Sequence, residues 1–446
     1  MNSLSQRAPG RPGPFAVLVV VALLAGACGS VPSPRPSPPT ASLGSVSPAP
    51  GSSATPSDLP SDLPSDLPSD LPGSGSGPPP SPGATSIPSV SASPTAPLSC
   101  AQQVLRGMTV AQRIGQLFSL GLANDKLGTA ELSAIRNQHV GAVWFTATTS
   151  VGVAGIRTVT DAIQAQATKA ATDGVRMSIA ANQEGGQIQA LRGTGFSTIP
   201  SAVVQGGRPI STLTAQARVW GSQLVAAGVN MDFAPVADVV PPGGDSTNQP
   251  IGVLMREYGH DPTTAGTHAA AFIAGMAAAG VDTTAKHFPG LGRVVDNTDF
   301  SANVVDKVTT PNDPYLASFE DTINGGVPFV MIALATYTKI DPNHLAAFSP
   351  TVMQLLRTQL GFRGVIVSDS LTAAAVASMP AGDRAIDFLL AGGDVVVVRS
   401  ATTMVAMAAA VQARAATDTS FLHLVNEAAL LVLEAKSAAG LLPPSC

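Results

Sequence analysis

Charged residues are scarce in this chain of 446 residues. Asp, Glu, Lys and Arg together make up 12% of it, apolar residues make up 45%, and the formal net charge is -5. A weakly charged, slightly acidic surface argues against nucleic acid as a partner. The apolar content is sufficient for a large core, in one large domain or two medium ones.

Metal-binding and nucleotide-binding motifs are also missing. The three cysteines form no zinc pattern, and the six histidines have no metal-ligand spacing along the sequence. The chain after Leu98 contains no Gly-x-Gly-x-x-Gly opening a helix, no Walker-type loop and no Gly-x-Ser-x-Gly elbow. These absences disfavour nucleotide-binding and serine-hydrolase functions, and they predict no metal and no other cofactor.

No apolar run is a comfortable transmembrane helix, but residues 1–28 are typical of an export signal. Arg7 and Arg11 precede an apolar run from Phe15 to Leu24, which is too short to span a bilayer easily. The following Ala25-Gly26-Ala27-Cys28 is similar to a bacterial lipobox, in which Cys28 would be lipidated. We expect an extracytoplasmic protein held to the cell membrane by its lipid alone, with a secreted form as the alternative.

Residues 29–98 are rich in Pro, Ser, Gly, Ala and Thr. Ser-Asp-Leu-Pro occurs four times between Ser57 and Pro72. Such a segment buries too little apolar surface to offset its ordering entropy, and its prolines keep it extended. We expect a disordered tether there rather than a partner-binding repeat.

Two cysteines flank the remaining residues, 99–446. Cys100 and Cys446 are candidates for a disulfide in an oxidising compartment, and two free thiols are the alternative.

The body from Leu98 onward alternates short β-branched runs with longer Ala-rich amphipathic runs. Eight runs predict strands: Ile114–Leu122, Gly141–Phe145, Arg176–Ala181, Asn230–Ala234, Thr283–Lys286, Phe329–Leu334, Gly364–Ser368 and Asp394–Val398. The helical runs between them include Val153–Thr172, Ser211–Ala227, Pro262–Ala279, Thr351–Leu360 and Thr402–Ala416. The count of eight predicts an α/β fold, a single TIM-like (β/α)8 barrel, over a doubly wound open sheet.

Polar clusters follow several predicted strands, and their order is informative. They are Asn182-Gln183-Glu184-Gly185-Gly186, Phe233-Ala234-Pro235-Val236-Ala237-Asp238, Pro250-Ile251-Gly252 with Arg256, Lys286-His287-Phe288-Pro289-Gly290, and Val367-Ser368-Asp369-Ser370-Leu371. Five motifs in this order resemble the family 3 glycoside hydrolases, in particular their single-barrel bacterial β-N-acetylhexosaminidases. The resemblance covers about residues 100–440. It implies retaining hydrolysis of β-linked sugars without a metal.

The resemblance also implies roles for individual residues. Asp369 matches the family's nucleophile, whereas its alternative role is a helix N-cap. Because a helix is expected to start near Leu371, with Ser370 able to cap it, Asp369 is free for chemistry. Arg256, Lys286 and His287 match residues that bind sugar hydroxyls, as does the position of Asn182. Asp238 is interpreted as a structural group at the barrel rim.

Four positions depart from the family pattern. Asn297-Thr298-Asp299 stands where the hexosaminidases have Asp-Ser-His, whose His is the acid/base. Asn182 replaces an Asp, Leu291 a His and Ala190 an Arg, for which Arg192 is a nearby substitute.

Two explanations of these departures remain open. Asp299, with Asp296 in reserve, replaces the His and restores the carboxylate pair that in retaining enzymes lies about 5 Å apart. Alternatively, the acid/base is lost and the barrel is a catalytically impaired glycan-binding lipoprotein. We favour the enzyme, acting as a monomer on a carbohydrate, with β-N-acetylglucosaminides of cell-wall fragments first and β-glucosides next. A solute-capture protein is the weakest reading, because such proteins usually need two lobes.

Overall fold

Eight parallel strands form the central sheet in a computed structural model that describes residues 97–444. They are β1 (Phe118–Leu122), β2 (Ala142–Phe145), β3 (Ser178–Ala181), β4 (Met231–Asp232), β5 (Asp282–Phe288), β6 (Phe329–Ile332), β7 (Val365–Ser368) and β8 (Val396–Val398). Strands β1 to β7 pair in chain order, and β8 pairs with β1. A parallel bridge between Val367 and Val395 joins the two edges. The predicted TIM-like barrel is therefore confirmed, as a nearly closed one.

Thirteen α-helices occur within residues 97–444. They are α1 (Cys100–Gly107), α2 (Val110–Gln116), α3 (Thr129–Asn137), α4 (Gly152–Gln164), α5 (Lys169–Thr172), α6 (Ala202–Gly206), α7 (Ile210–Ala226), α8 (Pro262–Ala277), α9 (Ala317–Asn324), α10 (Pro350–Gln354), α11 (Ala381–Ala391), α12 (Ala401–Thr417) and α13 (Thr419–Ala438). In this part of the chain, none of them has the length and apolarity that a membrane span requires.

The predicted export signal (1–28) with Cys28, the tether up to residue 96 and Cys446 lie outside the described residues. Cys100 begins α1 and is disulfide-bonded. Since Cys446 is not described, its pairing with Cys100 stays a prediction.

Buried strands and capped helices explain why these segments fold as they do. Every residue of β2, β3, β6 and β7 is buried, as expected for parallel strands covered on both faces. Helix α8 begins where the Asp261 side chain accepts a hydrogen bond from Thr264 N (2.8 Å), with Pro262 in its first turn. Burial of the strands and capping of the helix therefore both favour the elements that the structure shows.

Three predicted segments are wrong by more than two residues or in the number of elements, and the other predicted ends lie within two residues of the structure. Strand β1 starts at Phe118 rather than Ile114. A capping box of Thr109 and Gln112 begins helix α2, and Ile114 belongs to that helix. The run Val153–Thr172 is two helices, α4 and α5, since Thr168 caps the second one. Helix α10 ends at Gln354, and a π-helical turn over Leu355–Gln359 follows.

The helix expected near Leu371 is also wrong. Only a 3-10 turn over Ala374–Val376 follows strand β7, and the next α-helix, α11, begins at Ala381. Asp369 therefore has no adjacent α-helix to cap, which removes its structural alternative.

The N-terminal end of the barrel is closed by a buried lysine from the last helix. Lys436 Nζ donates hydrogen bonds to Gln116 Oε1 (2.8 Å) and to the carbonyl oxygens of Gly141 (2.7 Å) and Arg176 (3.1 Å). Burial lowers the pKa of Lys436 to about 7. Helix α13 is thereby tied to the starts of β2 and β3, and the opposite end of the barrel is left for the polar clusters.

Candidate active site

A cavity of about 370 Å³ lies among the C-terminal ends of the strands. The six residues singled out from the sequence all line it: Asn182, Arg256, Lys286, His287, Asp299 and Asp369. Apolar walls come from Trp144, Ile188, Phe233, Pro250, Leu254, Leu291, Phe300, Met331 and Val397, and further polar ones from Asn297, Thr298, Ser370 and Arg399. An apolar cavity with a few convergent polar groups is the usual form of a small-ligand site.

A buried carboxylate organises the two cations of this cavity. Glu184 Oε1 accepts from Arg256 (2.7 Å) and forms an ion pair with Lys286 Nζ (2.6 Å), and Glu184 Oε2 accepts from Arg256 Nε (2.8 Å). Lys286 Nζ also donates to Asn182 Oδ1 (2.8 Å). Bidentate pairing fixes the plane of the guanidinium. Glu184, a motif residue to which the sequence alone assigns no role, thus preorganises two of the sugar-binding candidates.

The electrostatics of Glu184 follow from this pairing. It is 5% exposed, so burial alone would raise its pKa, but Arg256 and Lys286 outweigh that effect and lower the pKa to about 2. Glu184 is therefore ionised across the working range of pH and neutralises one of the two cations.

The imidazole of His287 is oriented by a fully buried carboxylate. Asp238 Oδ2 lies 2.7 Å from His287 Nδ1, and Asp238 Oδ1 accepts from Leu291 N (2.7 Å). Asp238 was interpreted as a rim group, and in the structure it positions His287. Because Nδ1 is engaged, Nε2 is the ring nitrogen left for a ligand.

Asp369 directly follows strand β7, in register with β6. Ser368 pairs with Ile332, and Asp369 N then donates to the Ile332 carbonyl (3.0 Å). The side chain is half-buried, and its Oδ1 accepts from Ser370 N (2.7 Å). Within residues 97–444 no other hydrogen bond reaches this carboxylate, so Oδ2 is left for chemistry.

The loop after strand β5 brings Asp299 to the same cavity. Asn248 Nδ2 donates to the carbonyls of Leu291 and Val294, both at 2.7 Å. Further along, Ala374 N donates to the Asp299 carbonyl (3.2 Å) and Ala375 N to the Thr298 carbonyl (3.1 Å). The loop is therefore held by hydrogen bonds from Asn248 on one side and from Ala374 and Ala375 on the other. Asp296, the reserve candidate, is exposed and is not part of the cavity wall.

The environment of Asp299 suits a group that must hold a proton. Asp299 is exposed as a residue, yet the cavity walls shield its carboxyl group from part of the solvent. This desolvation, together with the negative charge of Asp369, raises the pKa of Asp299, and Arg256 and His287 offset part of the rise. A carboxyl group with a raised pKa, in one cavity with a second carboxyl group, is the arrangement that acid/base chemistry requires.

Arg192 does not take the place of the missing Arg at position 190. Its guanidinium donates to the carbonyls of Gln189 (2.9 Å) and Gly186 (3.0 Å), and it is absent from the cavity wall. The side chain instead stabilises the short antiparallel hairpin of Gln183–Gly185 and Ile188–Gln189, which carries Glu184.

Arg399, Trp144 and Phe300 line the cavity but belong to none of the motifs found in the sequence. Arg399 follows strand β8, and its guanidinium carbon lies 5.5 Å from the centre of the Trp144 ring. Phe300 is 82% exposed although it lines the mouth of the cavity. Only the folded chain brings these three residues together.

Beneath the cavity, Asp232 ends strand β4 as a fully buried carboxyl group. Its Oδ1 accepts from Gln183 N (2.9 Å), and its Oδ2 has no hydrogen-bond partner within residues 97–444. Burial raises the pKa of Asp232 to about 7, while Gln183 and Lys286 oppose the rise. The group is thus largely protonated below neutral pH.

Replacing Asp232 by Asn tests whether the buried carboxyl group is protonated below neutral pH. The stability that comes from a raised pKa is complete below the unfolded value of 3.8 and is lost as pH rises through about 7. The Asn side chain does not titrate, so the variant does not lose stability in this way. Its unfolding free energy should therefore rise relative to that of wild type by about 1.4 kcal/mol for each pH unit between pH 4 and 7. Urea titrations at pH 5 and 8 measure the change, with Asp161→Asn as an exposed control. Parallel pH dependences of wild type and D232N would contradict it.

Comparisons with known proteins agree with this geometry. The chain is 34% identical over 225 residues to a β-hexosaminidase of Vibrio cholerae; the match covers 49% of this chain and 65% of the relative, just under two thirds of its length. A crystal structure of a β-N-acetylhexosaminidase from Beutenbergia cavernae is 45% identical, with a TM-score of 0.72, covering 74% of this chain and 99% of that one. A family 3 β-N-acetylglucosaminidase from Paenibacillus is 27% identical, with a TM-score of 0.67 and coverages of 75% and 63%.

The family match spans most of the barrel. Residues 109–429 match the family described as the glycosyl hydrolase family 3 N terminal domain, from helix α2 into helix α13. This range contains all six cavity residues singled out from the sequence. The chain belongs to glycoside hydrolase family 3.

Proposed function

We propose that the protein hydrolyses terminal β-glycosidic bonds with retention of configuration. The leading substrates are β-N-acetylglucosaminides of cell-wall fragments, and β-glucosides come next. The observation that carries the proposal is that Asp299 and Asp369 line one cavity, in which desolvation and the charge of Asp369 raise the pKa of Asp299. The names of the Vibrio, Beutenbergia and Paenibacillus relatives support the choice of N-acetylated sugars.

The chemistry divides into two steps. Asp369 attacks the anomeric carbon and forms an ester, while the protonated Asp299 gives its proton to the departing oxygen. Water then attacks the same carbon, Asp299 takes up its proton, and the Asp369 carboxylate is released. Arg256, Lys286, His287 and Asn182 hold the sugar hydroxyls as the ring flattens toward an oxocarbenium ion.

The protein acts, in this proposal, outside the cytoplasm. Cys28 would carry a lipid, and the Pro- and Ser-rich segment would hold the barrel at a distance from the membrane. The support is the sequence pattern of residues 1–98.

Asp299→Asn separates this proposal from the catalytically impaired barrel. Wild type is expected to cleave aryl β-N-acetylglucosaminides with both good and poor leaving groups. Because an amide cannot donate the required proton, the variant should lose about 10²–10⁴-fold in rate with poor leaving groups and much less with good ones. Steady-state kinetics over a series of aryl leaving groups measures this dependence.

Azide provides the matching control. Azide can attack the glycosyl-enzyme without a general base, so it should rescue Asp299→Asn and give a β-glycosyl azide, through two inversions. Asp296→Asn serves as the matched variant and should behave as wild type. If wild type binds the sugars but turns over neither substrate class, the silent glycan-binding protein is the better description.

A further inference from the structure

A second cluster of ionisable side chains lies outside the cavity, in the segment 245–260. Asp245, Glu257 and His260 each offer one ligand atom, and the three atoms lie within 4.8 Å of one another. His260 Nδ1 is 3.6 Å from Asp245 Oδ1 and 3.1 Å from the Val240 carbonyl oxygen. The spacing of these residues along the sequence predicts no metal site, so only the fold reveals the cluster.

The buried carboxylate is the feature that an ordinary surface ion pair does not explain. Glu257 is 2% exposed, and its Oε2 has no hydrogen-bond partner within residues 97–444. Asp245 Oδ1 likewise lacks a hydrogen-bond partner in this part of the chain. A buried carboxylate oxygen without a partner costs free energy unless a cation or a donor meets it. Asp245 and His260 form a pair without Glu257, so the pairing leaves the Glu257 oxygen unaccounted for.

We propose that Asp245, Glu257 and His260 bind one divalent transition-metal cation of the zinc or manganese type. Two carboxylates and an imidazole are suitable ligands for such ions, whereas a site for magnesium or calcium would be built from oxygen alone. Binding of one ion at bond lengths of about 2.0–2.2 Å would require small side-chain rotations, since the three ligand atoms lie within 4.8 Å of one another.

The cluster is open to ions from one side. The side chain of Asp245 is 48% exposed and that of His260 is 41% exposed, whereas Glu257 forms the floor. An ion can therefore enter from solvent and meet the buried carboxylate last.

Binding there would cross-link a segment that contributes to the cavity. Asp245 lies near the start of the segment and Glu257 near its end, and Pro250, Leu254 and Arg256 between them line the cavity. Glu257 directly follows Arg256, so the ion would fix the backbone beside the guanidinium that Glu184 holds. The metal would act on this segment's stability and not as a participant in hydrolysis.

The test measures metal binding directly, on the purified chain after treatment with a chelator. Zinc chloride and manganese chloride are titrated by calorimetry, and thermal unfolding is followed with and without each salt. We expect one equivalent to bind and the unfolding midpoint to rise. Glu257→Gln should weaken the affinity at least about tenfold. If E257Q folds poorly, His260→Ala is the second test. His260 is more exposed than Glu257, and its replacement should weaken the affinity to a similar extent.

Two controls locate the ion. His423 and Glu427 form an exposed pair on helix α13 with a separation of 3.4 Å, so His423→Ala and Glu427→Gln should leave binding unchanged. Asp369→Asn should also retain it. The proposal is overturned if wild type binds neither metal, if E257Q and H260A bind as wild type does, or if only D369N loses the ion, which would assign it to the cavity.

Discussion

Replacing Asp369 by Asn is expected to abolish hydrolysis, with a loss of about 10³–10⁵-fold in kcat. An amide oxygen is a poor nucleophile toward the anomeric carbon, and it cannot form the ester on which the retaining route depends. The fold should be unaffected, because Asn Oδ1 can still accept the hydrogen bond from Ser370 N. Steady-state kinetics with an aryl β-N-acetylglucosaminide and thermal unfolding of both proteins measure the two effects.

The configuration of an azide product decides the role of Asp369. In Asp369→Ala, azide would attack the sugar directly from the vacated side and give an α-glycosyl azide after a single inversion. In the Asp299 variant the product should be β. Proton NMR of the anomeric signal distinguishes them. More than a tenth of wild-type activity in D369N, or a β product from D369A, would show that Asp369 is not the nucleophile.

The barrel and the location of the cavity could be predicted because local patterns determine them. Eight apolar runs of strand length, each followed by a polar cluster, place the clusters at one end of a parallel barrel. Lys286-His287 and Ser368-Asp369 lie at the ends of β5 and β7, so their convergence follows from topology alone. Helix boundaries were harder to predict. Helix α2 is followed by strand β1 after only one residue, Leu117, so the sequence does not show clearly where the helix ends and the strand begins.

The partners within the site could not be predicted, because they depend on contacts between distant segments. Glu184 meets Arg256, 72 residues later, and nothing in either motif specifies the other. Asp299 reaches the cavity because Ala374 and Ala375 fasten its loop. Likewise Asp245, Glu257 and His260 are irregularly spaced, and a fold is needed to bring their ligand atoms together.

Glu184→Gln should have the largest effect on stability of any substitution at the site. The variant leaves the buried Lys286 and the largely buried Arg256, whose side chain is 12% exposed, facing a neutral amide. Removing one partner of a buried ion pair costs about 3–5 kcal/mol, because the charges that remain are no longer compensated. Urea denaturation at pH 7 should show this decrease in the unfolding free energy. Asp161→Asn, which breaks the exposed pair of Asp161 with Arg157 (2.7 Å), should change it by less than about 1 kcal/mol.

The pH dependence of this difference gives a second, independent readout. The pKa of Glu184 is lowered from 4.5 to about 2 in the folded protein, so its stabilisation is complete above pH 4.5 and is lost as pH falls through 2. The gap between wild type and E184Q should therefore be constant from pH 5 to 7 and narrow below pH 4.5. A gap that stays constant down to pH 3 would mean that Glu184 contributes by shape alone. Because Glu184 holds the two cations that are proposed to bind sugar hydroxyls, KM of the folded variant should rise as well, whereas Asp161→Asn should leave KM unchanged.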